Sequence, residues 1–543
     1  MIERKHAAPD LDLADLQGNI LTAYGRLGFP KGRFLLVNVR DADSGRAFVE
    51  FLRPRVTTAL RWPSVRHHRP TGKVKVARPE VTINLAFTFR GLFALGVPTR
   101  TLRGMPDEFI DGMAARASIL SDNANGASLT DWDAVWTRKD STAQPHILVM
   151  LNAQMQPEGS AVPALGTVTQ EIVAWCDGSG GKVALCRGHR GADDRWQDLS
   201  AITQEVGGNV YPTPKEHFGY TDAISDPAFD GQVPNAQAAA SAIGQGKSDG
   251  FGNWSLLARG EFLLGWPDEA QEIPGAAMPL DFSRNGTFFA YRKLHQNVDG
   301  FHKWIDGTAT QLAKLWRMGS QDEASQTLMA KLAGRWPDGV PLMAAPTHAD
   351  WQAFNRDYPQ PVDGSINPER ALRLVDFVYR DDSAGTRCPI GAHARRMNTR
   401  DMLDPHGRDP DPKVRAGSAL NNRRRILRRG LPYGSSGSAG DVDGEHGIVM
   451  LAVCASLSRQ FEFVQQQWLN YGLDFSLGND TCPLVGSHAK DARFVIAADP
   501  AQGNPPFIAS GIPPFVTTRG GDYFFMPSMT ALRLIGMGVT DPT

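Results

Sequence analysis

Cysteine is scarce in this chain. Five stand far apart, Cys176, Cys186, Cys388, Cys454 and Cys482, and no two form a CxxC pair. An odd, scattered set argues against a disulfide framework or a zinc knuckle and fits a reducing compartment best. Long apolar runs are also missing. The longest nearly apolar stretch, Ile448 to Leu457, is far short of the ~20 residues that cross a bilayer as a helix. The opening Met-Ile-Glu-Arg-Lys-His-Ala-Ala-Pro-Asp lacks the apolar centre of a secretion signal. There is no excess of charge either: 57 Lys and Arg face 58 Asp and Glu, a formal net charge of −1. A basic footprint for nucleic acid is therefore absent at the level of the whole chain. These absences lead us to expect a soluble, cytoplasmic protein with neither membrane nor nucleic acid as partner.

What is present is ordinary globular material. Hydrophobic residues make up 41% and charged residues 21%, enough apolar surface to offset the entropy of ordering, which excludes disorder as the main state. A length of 543 residues allows three to four average domains or two large ones. Glycine (55) and proline (37) together exceed the usual share, which argues against a helical bundle and for many turns and long connections.

Along the chain, residues 1–10 read as a loose arm. Apolar, β-branched runs at 33–39, 81–89 and 146–151 predict strands, and the spacing at 46–52 and 166–175 predicts helices, the first ended by Pro54. A second set follows: strands at 262–265, 287–292 and 448–453, and helices at 298–315 and 459–471. The pattern predicts an α+β fold with a largely antiparallel sheet and two related halves, without a clean repeat. Residues 331–365 and 401–425, rich in Pro, Asp, Gly and Arg, read as surface insertions.

Three segments combine titratable groups with turn residues: Glu216 to Pro227, Arg387 to Arg400, and Arg428-Arg429-Gly430-Leu431-Pro432-Tyr433-Gly434. They offer an acid, an imidazole and an obligate cation on separate stretches. These segments resemble the haem-site motifs of dye-decolourising peroxidases. The context is similar as well: Gly260 to Gly265, Tyr291 to Leu294, Arg459 to Phe463 and Gly520 to Pro527, all in the expected order from about Asp15 to Ile535. The resemblance implies two ferredoxin-like units with antiparallel sheets and peripheral helices, of the dimeric α+β barrel kind. Residues 1–215 would form the N-terminal unit and 216–543 the haem-binding unit. It also implies one haem b (iron protoporphyrin IX) per chain, hydrogen peroxide as oxidant, small reducing substrates such as dyes and phenols, and a possible homo-oligomer.

Roles follow from the same resemblance. His393 would ligate the iron, with Gly391 and Ala392 leaving room for a macrocycle. Asp222 would take a proton from one peroxide oxygen and return it to the other, as a positioned carboxylate can. The family has Gly directly after this Asp, where this chain has Ala223. Arg428 would be the fixed cation of the distal side, with Arg424, Arg425 and Arg429 as rivals in the same basic run. Arg400 would pair with a haem propionate. Asp480 would accept the second N–H of His393, although in the family this Asp often stands closer to the Pro. Ile448 and Met450, alternate positions on one strand, would face the distal cavity or serve as plain core. Trp468 would relay electrons or simply pack, and His67-His68 reads as surface. Two other readings compete: chlorite decomposition on a related fold, which does not call for Asp222, and a haem carrier or sensor, which makes both Asp222 and Arg428 incidental.

Overall fold

The computed structural model describes residues 11–66, 74–122, 129–274, 276–360, 367–404, 417–435, 444–488 and 491–539 of the 543. The expected arm at 1–10, His67 and His68, and parts of both expected insertions lie outside the described residues.

The apolar runs form strands where the pattern places them. β1 (Lys31–Val39), β2 (Val81–Phe87) and β3 (Ile147–Ala153) are buried over most of their length, so they read as continuous apolar segments. Short β4 (Val183–Leu185) and β5 (Gln197–Ser200) both pair with β1. After residue 216 come β6 (Thr287–Gln296), β7 (Leu427–Tyr433), β8 (Gly447–Cys454) and β9 (Val516–Met526). One antiparallel sheet contains them all, in the order β7-β8-β6-β9-β2-β3-β1-β4, with β5 also on β1. Strands from residues 31–200 occupy one arm and strands from 287–526 the other. The arms meet at Phe87 and Phe525 on β2 and β9.

Helices cover the sheet. α1 (Ala42–Leu52) begins earlier than the apolar spacing predicts, because the Asp41 side chain accepts from the Ser44 N–H at 2.9 Å and caps it. It stops just before Pro54, as expected. α2 (Pro163–Gly178) buries Leu165, Thr169, Ile172 and Cys176 at helical spacing. α3 (Val298–Trp316) and α4 (Gln321–Ala333) build a second core with Trp468, Phe475, Phe494 and Phe507.

Three expectations need correction. Residues 262–265 are a buried turn rather than a strand. Leu263 N–H bonds back to the Arg259 carbonyl at 2.9 Å, Gly265 takes φ +78°, and the apolar side chains are buried without any strand pairing. Residues 459–471 are not a regular amphipathic α-helix. They lie in two successive π-helical segments, Leu457–Glu462 and Val464–Leu469, so apolar spacing alone misjudges their faces. The supposed insertion at 331–365 carries a third core, in which Trp336, Val340, Leu342 and Ala345 are fully buried. There α5 (His348–Asp357) stacks Trp351 on Trp336 with ring centroids 4.7 Å apart. Prolines and glycines interrupt that segment, so its apolar residues follow no period and the pattern conceals them. In 401–425, likewise, Asp401, Ser418, Asn421, Asn422 and Arg425 are buried.

Candidate active site

A cavity of ≈ 1260 Å³ opens between β7, β8, the 211–227 loop and the start of α6 (His393–Met397). Four local arrangements position its chemistry.

The first is the loop that carries Asp222. It doubles back as a small hairpin, with Asp222 N–H donating to the Pro214 carbonyl at 2.7 Å and Thr221 N–H to the Pro337 carbonyl at 2.8 Å. Glu216 is its hub: the buried carboxylate accepts from the N–H groups of Phe218 at 2.9 Å and Tyr220 at 2.8 Å, and from Gln296 Nε2. Burial outweighs these bonds and pushes the Glu216 carboxyl up to about 7. The loop leaves Asp222 through Ala223 at φ +55°, a left-handed conformation that normally belongs to glycine.

The second arrangement is β7, whose pleat separates its arginines. Arg428 and Arg429 fall on opposite faces of the strand. Arg428 Nη2 donates to Asp222 Oδ1 at 2.6 Å, and each side chain keeps 38% exposure, open to the cavity. Arg429, at 4%, is tied to the carbonyls of Asn19 and Ile20 and to Asp226. Arg424 lies over the Phe463 ring and donates to the Arg459 carbonyl, and Arg425 donates to the carbonyls of Gln245 and Gly246. Of these four, Arg428 is the one that meets Asp222. Gly430 must be glycine, since it takes φ +119° and a Cβ there would strike the Val449 carbonyl oxygen.

Asp222 is held as an anion. Burial alone would raise its carboxyl. The Arg428 charge and hydrogen bond, the Ala223 N–H at 2.6 Å and the nearby His393 outweigh burial and bring it below the usual aspartate range. In return, Asp222 raises Arg428.

The third arrangement is His393, which lines the same cavity at the start of α6. Its Nδ1 lies 3.3 Å from Cys482 Sγ, and among the described residues Nε2 has no hydrogen-bond partner. Asp480 does not reach it: that carboxylate accepts from Arg493 Nε at 3.1 Å, and the Asp480 carbonyl accepts from Arg396. The sequence expectation misses by two residues because the chain turns at Gly478 to Cys482, and the side chain directed at the imidazole is the one beside Pro483. Gly391 and Ala392 do not open space for a macrocycle. A Cβ on Gly391 would contact Leu477 and Phe494, and Ala392 is packed in the third core.

The fourth arrangement is a set of buried guanidiniums. Arg400 lines the cavity, lies 3.8 Å from the Phe377 ring centroid and donates to the Phe377 carbonyl at 2.6 Å. Burial pushes Arg400 down to about 10 and Arg425 down to about 9, and it also lowers Arg335. All three line the cavity, and among the described residues none forms an ion pair. Desolvated cations without a counter-charge favour an anionic ligand. Sequence reasoning named Arg400, took Arg425 only as a rival for the distal cation, and gave no role to Arg335, Glu216 or Cys482. Bonds from Arg335 and Arg425 to main-chain carbonyls leave no sequence signature. Ile448 and Met450, both half-buried on β8, line the cavity wall. Trp468 is buried in the second core, where its indole donates to Asp474 at 3.0 Å.

The comparisons match this geometry. The sequence model of the DyP dimeric alpha+beta barrel domain matches residues 15–161. Peroxidase 2 of Mycetinis scorodonius is 26% identical over 97% of this chain and 88% of that protein. The multifunctional dye peroxidase DyP2 of Amycolatopsis sp. (strain ATCC 39116 / 75iv2) is 27% identical over 96% and 95%. Over nearly its whole length the chain is thus similar to dye-decolorizing peroxidases. Solved structures show the same fold. An ancestral D-type dye decolorizing peroxidase superposes with a TM-score of 0.69 at 23% identity, covering 97% of this chain and 99% of that one. A dye-decolorizing peroxidase in complex with 2,6-dimethoxyphenol gives 0.66 at 24%, covering 97% and 100%. The protein thus has an α+β fold of the dimeric α+β barrel kind, and none of its described helices is long and apolar enough to cross a membrane.

The donor set fits a haem. Among the described residues no group of three or more His, Cys, Asp or Glu side chains could hold a bare metal ion. A single imidazole with a free Nε2, an apolar strand wall and unpaired buried guanidiniums suit an iron macrocycle that bears carboxylates.

Proposed function

We propose that this protein is a haem-dependent peroxidase that reduces hydrogen peroxide and oxidises dyes, phenols or other small electron donors. The observation that carries the reading is the Asp222–Arg428 pair, held at 2.6 Å on the wall of the cavity that His393 also lines. A carrier or sensor has no use for a base and a cation fixed together in this way.

The bound group is one haem b per chain. His393 Nε2 would be its iron ligand, Arg400, Arg335 and Arg425 would hold its carboxylates, and Ile448 and Met450 would line its place in the cavity. When bound, it supplies the electron transfer: peroxide takes up two electrons and two protons to give two waters, and two donors each lose one electron. The chain's own residues manage the protons. Asp222, kept anionic by Arg428 and Ala223 N–H, accepts a proton from one peroxide oxygen and returns it to the other. Arg428 stays charged and stabilises the negative charge that develops meanwhile. The haem-binding unit is residues 216–543 and the N-terminal unit 1–215. Five buried, unpaired cysteines support a cytoplasmic location, and a homo-oligomer goes with the family.

The test is reconstitution with haem, followed by mixing with peroxide and a phenol. A Soret band and donor oxidation that both require His393 support the reading. Haem bleaching without turnover of donor would refute it.

A further inference from the structure

We propose that Cys482 is the positioning residue for His393, its sulfur accepting the Nδ1–H hydrogen bond that the sequence reading expected of Asp480. The inference rests on the reading of His393 as the iron ligand.

Three observations carry it. Cys482 Sγ lies 3.3 Å from His393 Nδ1, a normal distance for a bond to sulfur, and Cys482 is fully buried, so no water competes. The sulfur is fixed by its own backbone: Cys482 N–H donates to the Leu469 carbonyl at 2.7 Å, and the Cys482 carbonyl accepts from Gly486 N–H at 3.0 Å. Asp480, the nearby carboxylate, is engaged by Arg493.

The consequence is chemical. Donation of Nδ1–H to sulfur fixes the imidazole tautomer, leaving the lone pair on Nε2 and aiming it into the cavity. Sulfur is a weaker acceptor than a carboxylate. The imidazole is therefore less electron-rich than one paired with Asp, and the iron it holds is reduced more easily.

The experiment uses the full-length protein with Cys482→Asp, Cys482→Ser and Cys482→Ala. In the haem-loaded forms the readouts are the iron midpoint potential and the iron–imidazole stretch of the reduced state. In the haem-free forms the readout is the His393 tautomer, from ¹⁵N NMR of labelled histidine. Cys482→Asp is expected to lower the potential and raise the stretching frequency, and Cys482→Ala to do the opposite. Cys482→Ser should stay near wild type. Without haem, wild type should carry its proton on Nδ1, and Cys482→Ala should lose that preference. Should the alanine variant fail to fold, the serine and aspartate forms decide.

Identical potentials and stretches in wild type and Cys482→Asp would overturn the inference. So would a thiolate-type carbonyl spectrum in wild type that disappears in Cys482→Ser, since sulfur would then be the ligand. The two readings fail separately. Full haem binding with an unchanged spectrum in His393→Ala sinks the ligand assignment itself. Loss of haem in His393→Ala, with no shift across the Cys482 variants, sinks the role of Cys482 alone.

Discussion

The two walls of the cavity solve the same problem in opposite ways. On one wall, Asp222 and Arg428 are both charged, both open to the cavity, and held by each other. On the other, His393 leans on a fully buried sulfur and, among the described residues, has no charged partner at hydrogen-bond distance. A wall that must exchange protons needs solvent-facing groups whose charge is fixed by a neighbour. A wall that must hold a ligand in one orientation needs burial and a rigid acceptor. The contrast teaches that the first wall is sensitive to charge and pH, and the second to shape.

The strongest way to break the comparison is on the second wall. His393→Ala is expected to abolish most haem binding, because among the described residues no metal-holding cluster of His, Cys, Asp or Glu exists to replace it. Titration of the purified variant with haem, followed by its Soret band, checks this.

The first wall should fail in rate while keeping its haem. Arg428→Leu removes one fixed donor, typically ~10²–10³ in rate. Asp222→Asn removes proton transfer, typically ~10²–10⁴. Stopped-flow mixing with peroxide measures both. The same pair sets the acid limb of activity. Asp222 is depressed in the folded protein, so it remains a working base down to below its ordinary value of 3.8, and activity is lost only as pH falls through that lowered value. In Arg428→Leu only the Ala223 N–H and His393 are left to oppose burial, so the residual limb should move to higher pH. A limb unmoved by this substitution would show that Arg428 does not govern Asp222.

Glu216 gives a smaller effect, read as stability. Its carboxyl is raised from 4.5 to about 7. A raised acid contributes stability that is fully present below pH 4.5 and is lost as pH climbs through 7. The wild-type protein should therefore lose stability relative to Glu216→Gln across that window, by at most about 3 kcal/mol. Chemical denaturation of both proteins at several pH values gives the difference, and parallel curves would contradict it. The buried histidines His217 and His295 are pushed down by burial, the opposite sign, and they drop out of the comparison because both proteins carry them.

How much of this was legible beforehand follows from the kind of signal. β1, β2, β3 and β8 appear in the sequence because strands buried on both faces need continuous apolar runs. Turn residues and proline mark the segments that hold Asp222, His393 and Arg428, and the family resemblance picks out those three within them. Asp480 is the partner of His393 that the resemblance implies, and one-dimensional spacing cannot show that the chain turns between it and Cys482. The third core around Trp336 stayed hidden for a related reason: its residues converge through turns, which carry no periodicity. Glu216 acts through main-chain N–H groups, which every sequence has and none advertises.

The smallest predicted effect lies one residue beyond the base. Ala223 holds φ +55°, where a Cβ costs about 1–2 kcal/mol, and its N–H bonds to Asp222 at 2.6 Å. Ala223→Gly removes that strain while adding roughly 0.5–1 kcal/mol of unfolded-state entropy, so a net gain of about 0.5–1 kcal/mol is expected. In thermal unfolding this corresponds to a rise of only a degree or two. The methyl group also shields the carboxylate from water, and its loss should let water stabilise the anion and move the acid limb of activity further down in pH. Melting curves and pH profiles with one donor test both parts. A variant that melts lower than wild type would show that the methyl packs favourably enough to outweigh the backbone strain. A limb that rises in pH would show that the methyl supports the charged form of Asp222 rather than opposing it.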